Sequence, residues 1–270
     1  MLAALLSALL LLGPAGPAPA ERPVAIPAGG GVTLAGTLAV PPGPGPFPAA
    51  VLVGGFGPSN RDGSFGDRGD GAYRAIALGL ARRGVAVLRY DKRGIGESNG
   101  PALSWLDARP LAGDAGAAAR TLVALPGIDL AHVALIGHSQ GGDLALRAAR
   151  SAPVTRVVTL SAPGRPLGGL PRVSGSASRF LDRLVGTEVA RATLARDPRR
   201  DAALARQPAL IVHGTSDRTV PISDMSLLAA SRREAGLATR TLRVPGVGHF
   251  LEVEGRVPAG MLDVIAAFVD

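Results

Sequence analysis

The sequence predicts an α/β fold, with a mostly parallel central sheet covered by helices on both faces. Three observations carry this. Short, continuous apolar runs at 49–53, 85–88, 133–136 and 209–212 read as strands buried on both sides, and 155–160 reads as a further strand. Stretches with helical spacing of apolar residues lie between them, the rhythm of βα units. At 133–146 the chain reads strand, abrupt turn, helix, with Gly137-His138-Ser139-Gln140-Gly141 at the turn.

Residues 1–20 stand outside the expected domain. Residues 2–12 are apolar except for Ser7, residues 13–19 break helix, and Ala18-Pro19-Ala20 is a small-residue cleavage pattern before Glu21. This resembles a secretory signal peptide, although no Lys or Arg precedes the apolar run. The run is too short for a comfortable membrane span. The expectation is export to the periplasm or medium, with no stable membrane span after cleavage and a single domain over 21–270.

Residues 22–39 alternate as strands do, with Val32, Leu34 and Leu38 on one face and a kink at Gly36. A rigid, proline-rich connector (41–48) leads into the 49–53 strand, which ends in Gly54-Gly55-Phe56-Gly57-Pro58. Residues 72–83 form an amphipathic helix offering Ile76, Leu78 and Leu80 to the core, stopped by Gly84. The 85–88 strand runs into Tyr90-Asp91-Lys92-Arg93-Gly94-Ile95-Gly96-Glu97-Ser98, and an alanine-faced helix covers 111–125. After the central unit, the 155–160 strand ends in Ser161-Ala162-Pro163 without a carboxylate. Residues 164–206 break the rhythm, are rich in arginine and read as a small inserted lid with helical signals at 180–185 and 189–194. Strand 209–212 leads to His213-Gly214-Thr215-Ser216-Asp217. A helix over 223–235, a last strand at Thr239–Val244, the loop Gly246-Val247-Gly248-His249-Phe250 and an apolar helix over 261–269 complete the chain.

Composition excludes several classes. The chain of 270 residues is 47% hydrophobic and only 3% aromatic, so alanine, leucine and valine must fill the core. It contains no cysteine, which removes thiol nucleophiles, disulfides and thiolate metal ligands. Net charge is +8, but the arginines are scattered and no aromatics interleave with them, so no nucleic-acid stripe is expected. Lys92 is the only lysine and Arg93 follows it, so no phosphate-binding G-x-x-x-x-G-K-[ST] loop exists. Neither a metal cluster nor a nucleotide fingerprint is visible; no cofactor is expected.

The chemistry rests on a serine. Gly137 to Gly141 matches the elbow G-x-S-x-G, in which small residues let a strained turn lift the Ser139 hydroxyl above the sheet. Gly96-Glu97-Ser98-Asn99-Gly100 matches by spacing too, but it does not directly follow an apolar strand, and Pro101 follows instead of a clean helix. Ser98 therefore reads as a loop residue. A serine hydroxyl needs a base to take its proton, usually histidine. Of the four histidines, His132 starts the central strand, His138 diverges from its neighbour at a sharp turn, and His213 shapes a turn. His249 follows the last strand, where parallel topology gathers loops at one sheet edge. The orienting acid is expected at Asp217, with Asp224, further along on a helix, as the rival. The oxyanion donors are expected to be the backbone N–H groups of Gln140 and Phe56.

The order Ser139, Asp217, His249, together with these loops, resembles the α/β-hydrolase superfamily over nearly the whole chain after Ala20. The loop Gly55-Phe56-Gly57-Pro58-Ser59-Asn60-Arg61-Asp62-Gly63 is similar to a bacterial subgroup of esterase-like hydrolases. The resemblance implies an α/β-hydrolase fold with a short inserted lid over 164–206 and a serine carboxylesterase acting on a small-molecule ester. Peptidase, thioesterase or cofactor-free perhydrolase chemistry on the same three residues is the alternative, as is a non-catalytic binding protein of the same fold. Many members carry histidine before the oxyanion glycine; this chain has Gly54. The resemblance also implies a structural role for Asp91 and Arg93. His138, Phe180 and Phe250 are candidate pocket residues, and a short lid with little apolar wall points to short acyl chains. The oligomeric state is left open.

Overall fold

The structure, a computed structural model, describes residues 17–64, 71–101, 107–170, 188–253 and 256–270. Its centre is an eight-stranded sheet of order β1-β2-β4-β3-β5-β6-β7-β8. The strands are β1 (Ala20–Gly29), β2 (Val32–Val40), β3 (Phe47–Val53), β4 (Ala86–Tyr90), β5 (Ile128–His138), β6 (Arg156–Leu160), β7 (Ala209–Gly214) and β8 (Thr239–Val244). The hairpin β1–β2 joins β4 in antiparallel register, and every pairing from β4 to β8 is parallel.

Alternation along the parallel strands explains the continuous apolar runs of β3, the second half of β5 and β7. Val51, Leu88 and Leu135 face one core, with helices α2 (Ala108–Val123), α3 (Gln140–Ala149) and α6 (Ser223–Glu234). Leu52, Val87 and Ile136 face the other, with α1 (Ala72–Ala81) and α7 (Ala259–Val269). Successive side chains in a strand point to opposite faces, so a strand covered on both sides must be apolar at every position. Alanine fills the narrow side: Ala115, Ala118 and Ala119 of α2 are fully buried. Among the described residues no helix is long and apolar enough to cross a membrane.

Helix α3 starts at Gln140, directly after Ser139, in line with the strand, turn, helix reading of 133–146. Within 164–206 the described residues form a 3₁₀ turn (Leu167–Gly169), α4 (Glu188–Ala195) and α5 (Pro198–Leu204). Helix α5 packs into the main core, with Ala202 and Ala205 fully buried. Arg232 of α6, itself buried, donates hydrogen bonds to the carbonyls of Ala202, Ala205 and Gln207. Arg196 bridges Asp143 of α3 and Asp201 of α5. The tail of the arginine-rich segment is thus tied to the helix that follows Ser139. The expected helical signal at 180–185 lies outside the described residues.

Parallel strands deliver their following loops to one edge of the sheet. Residues 54–58 after β3, 139 after β5, 161–163 after β6, 215–217 after β7 and 245–249 after β8 all gather there.

Candidate active site

Ser139 sits at φ 52°, ψ −125°, a conformation costly for a residue with a side chain. Its neighbours explain how that geometry fits. A Cβ on Gly137 would lie 2.1 Å from the Gly141 carbonyl oxygen, and one on Gly141 would lie 2.2 Å from the Val53 carbonyl oxygen. Only glycine allows the returning helix to press so closely on β5 and β3. The Ser139 N–H donates to the Leu160 carbonyl at 2.8 Å, and the Ser139 carbonyl accepts from the Gly142 N–H at 2.9 Å. These bonds hold the strained turn from both sides.

The side chains meet as the sequence order suggested. His249 Nε2 lies 3.1 Å from Ser139 Oγ, and His249 Nδ1 lies 2.9 Å from Asp217 Oδ2. Asp217 Oδ1 accepts from the Thr219 and Val220 N–H groups at 2.8 and 2.9 Å, which fixes the carboxylate plane. His213 stands behind it. Its Nε2 is 3.0 Å from the Val220 carbonyl and 3.5 Å from Asp217 Oδ2, so this nitrogen carries the proton. Burial works against the charge on Asp217. Hydrogen bonds with His213 and His249, and attraction to His249, outweigh it and hold the carboxyl well below the usual range. An ionised Asp217 directs the His249 proton to Nδ1 and leaves Nε2 free to accept from the serine hydroxyl.

Asp224, the rival acid, is engaged elsewhere: it accepts from the Gly164 N–H at 2.9 Å and pairs with Arg165. Ser98 is a loop pin, donating to the Asp91 carbonyl at 2.7 Å and accepting from the Ala35 N–H at 2.9 Å. Asp91 accepts from the Arg61 and Glu97 N–H groups, and Arg93 pairs with Asp114. His132 bonds Asp129 at the start of β5.

His138 does not form an open pocket wall. It is 2% exposed, and both ring nitrogens are used. Nε2 donates to the His249 carbonyl at 2.8 Å, and Nδ1 accepts from the Tyr73 hydroxyl at 2.8 Å. Burial, followed by the neighbouring His249, pushes the His138 imidazolium down to about 3, so the ring is neutral. Tyr73, pushed up to about 12 chiefly by burial, in turn accepts from the Gly55 N–H at 2.9 Å. One chain of hydrogen bonds therefore runs from the loop after β3 to the loop carrying His249. Phe250 is 45% exposed with its ring edge-on to His249, at a centroid distance of 5.4 Å. Phe180 lies outside the described residues.

The loops that carry the two expected oxyanion donors both lie beside Ser139. The Gln140 N–H is the first of α3, where no intrahelical acceptor exists and the helix dipole favours negative charge. Gly55, directly before Phe56, packs on the elbow: a Cβ there would be 3.0 Å from Ser139 Cβ. The sequence reading missed Tyr73, His213 and Lys92, whose ammonium bonds the carbonyls of Gly55 and Gly57. Chemically, the arrangement can move a proton from Ser139 to His249 and shelter negative charge beside the elbow. Among the described residues no group of three or more His, Asp or Glu side chains could hold a metal ion.

The chain is similar to several known proteins. The serine aminopeptidase (S33) family pattern matches residues 69–190. Esterase EstD of Thermotoga maritima is 36% identical over 134 residues, covering 50% of this chain and 31% of the esterase, so the chain spans under a third of that relative's length. The alpha/beta hydrolase GrgF from Penicillium superposes with a TM-score of 0.72 at 21% identity, covering 93% of this chain and 97% of that one. The esterase domain of a Rhodothermus marinus protein superposes with a TM-score of 0.64 at 23% identity, over 92% and 97% of the two chains.

Proposed function

From the α/β-hydrolase fold and the likeness to the serine aminopeptidase pattern and to an esterase, we propose that the chain is a serine hydrolase of the α/β-hydrolase superfamily cleaving carboxylic esters through an acyl-enzyme. The observation that carries the reading is the hydrogen-bonded series Ser139 Oγ, His249 Nε2 and Nδ1, Asp217 Oδ2, at 3.1 and 2.9 Å.

In this reading Ser139 Oγ attacks the acyl carbon while His249 Nε2 takes its proton. The carbonyl electrons move onto oxygen, facing the N–H groups of Gln140 and Phe56. Collapse re-forms the carbonyl and breaks the bond to the leaving oxygen, which receives the proton from His249. Water then repeats the sequence on the acyl-serine, with His249 again as base. Asp217 stays ionised throughout and stabilises the imidazolium. The esterase relative supports ester substrates. The serine aminopeptidase match favours amide cleavage as the second reading.

Steady-state kinetics on p-nitrophenyl esters beside aminoacyl p-nitroanilides separates the two. The expected result is ester turnover at least a hundredfold above anilide turnover, abolished in Ser139→Ala. Anilide cleavage equal to or above ester cleavage would favour the aminopeptidase reading. Export belongs to the same proposal. Glu21, just past the expected cleavage point, pairs with Arg74 and Arg89 and so belongs to the folded domain. N-terminal sequencing of exported protein is expected to begin near Glu21; soluble cytosolic protein retaining Met1 would contradict it.

A further inference from the structure

Gly55 poses a mechanical problem. Its Cα touches the elbow, so a side chain there would strike Ser139 and His138 at 3.0 to 3.2 Å. The position must be glycine, yet glycine is the residue least able to hold its own backbone still. Relatives with histidine before the oxyanion glycine have a side chain available there; this chain has Gly54.

Two buried side chains clamp the loop from outside. The Tyr73 hydroxyl takes the Gly55 N–H at 2.9 Å. Lys92, 4% exposed, bonds the Gly55 carbonyl and lies 2.5 Å from the Gly57 carbonyl. Both lie against Gly54, where a Cβ would be 3.2 Å from the Tyr73 ring and 3.6 Å from Lys92 Cε. In a trans peptide the C=O and the following N–H point in opposite directions. Fixing the Gly55 carbonyl on Lys92 therefore fixes the direction of the Phe56 N–H.

We propose that Lys92 is a positioning residue for the oxyanion hole: its ammonium grips the Gly55 and Gly57 carbonyls and so holds the Phe56 N–H in the direction the tetrahedral intermediate requires. The proposal rests on the serine-hydrolase reading of the site. A buried cation is costly unless its donors are met, and among the described residues no carboxylate pairs with Lys92; the groups meeting it are main-chain carbonyls. The nearby ionisable groups, Tyr73 from α1 and His138 from the elbow, are both held neutral. A cation on a carbonyl oxygen also polarises the amide and strengthens its N–H as a donor. Burial pushes the Lys92 ammonium down to about 7.

The test compares Lys92→Met, which keeps the stem and loses every donor, with Lys92→Gln, which keeps an N–H donor. With p-nitrophenyl butyrate, Lys92→Met is expected to lower kcat by roughly 10²- to 10³-fold, the size of losing one oxyanion donor, with KM within threefold. Lys92→Gln is expected to recover at least tenfold of that loss. Affinity for an alkylboronic acid, which forms a tetrahedral adduct on Ser139, should fall in proportion to kcat/KM. A kcat within threefold of wild type, or a loss lying mainly in KM, overturns the proposal.

Should either variant fail to fold, the wild-type chain still reports, because ¹³Cε-lysine labelling gives a single signal from its one lysine. That signal is expected to move on boronate binding, and not to move in Ser139→Ala. A signal indifferent to the adduct contradicts the role. Absence of any adduct on Ser139 fails the serine-hydrolase reading itself, and the proposal with it.

Discussion

At the scale of single residues, Ser139, His249 and Asp217 are argued to act as one unit. Ser139→Ala and His249→Ala should each lower kcat by roughly a thousandfold or more, and the double variant should lose little further. Asp217→Asn removes the charge that sets the His249 tautomer and should also be severe, while Asp224→Asn should act on stability instead, through its bonds to Gly164 and Arg165. His138 carries a separate prediction. Its folded-state value is depressed from 6.5 to about 3. Between those limits the unfolded chain binds more protons, so the contribution to stability is complete above about 6.5 and is lost as pH falls toward 3. The slope from this group is about 1.4 kcal/mol per pH unit. Urea titrations of wild type and His138→Gln from pH 7 to pH 4 should converge by that slope; parallel curves would mean His138 titrates normally. The order of the candidate residues was readable from the sequence because Ser139 and Asp217 follow apolar strands and His249 follows the last strand of the parallel series, although β8 itself carries two arginines and two threonines. The bonds of Tyr73 and Lys92 were not: Lys92 meets main-chain carbonyls, and Tyr73 meets the Gly55 N–H and His138, all on other elements. A main-chain carbonyl leaves no trace in residue identity.

At the scale of elements, the β5–α3 turn concentrates strain at one serine and removes side chains on both sides of it. Gly141→Ala would place its Cβ 2.2 Å from the Val53 carbonyl oxygen, so the chain must shift. A loss of about 2 kcal/mol or more is expected in denaturant melts, at the upper end of overpacking costs. Ser139→Gly relieves a positive φ of 52°. It should be inactive yet at least as stable as Ser139→Ala, despite the entropic cost of glycine, since the strain relieved is about 1–3 kcal/mol. A glycine variant clearly less stable than the alanine variant would show that the turn is not strained. Strand and helix positions were legible because period and apolarity agree across β3, β5, β6 and β7. Gly141 and Gly142 are poor helix formers, yet both lie inside α3. Their helical placement is imposed by packing on Val53, Thr159 and Ala162. Helix α5 fell within the segment read as a lid because 164–206 breaks the strand–helix rhythm; its burial comes from Ala202 and from the carbonyl bonded by Arg232.

At the scale of the whole molecule, one sheet edge collects the loops that follow the parallel strands, and Arg196 tethers the tail of the arginine-rich segment to Asp143 and Asp201. Among the described residues the large exposed apolar side chain beside the site is Phe250. Each methylene gains about 0.8 kcal/mol only where a wall covers it, so kcat/KM along a p-nitrophenyl ester series should peak at roughly C2 to C6. A maximum at C12 or longer would require a long apolar tunnel. The fold was legible at this scale because both faces of the sheet are covered at its centre, which writes continuous apolar runs into β3, β5 and β7. The central claim, that Ser139 is the nucleophile of a hydrolytic unit with His249 and Asp217, is tested most directly by fluorophosphonate labelling with peptide mapping. The expected result is a single adduct on Ser139, slowed by at least a hundredfold in His249→Ala and absent in Ser139→Ala. An adduct on Ser98, or labelling of Ser139 that ignores the loss of His249, would contradict it.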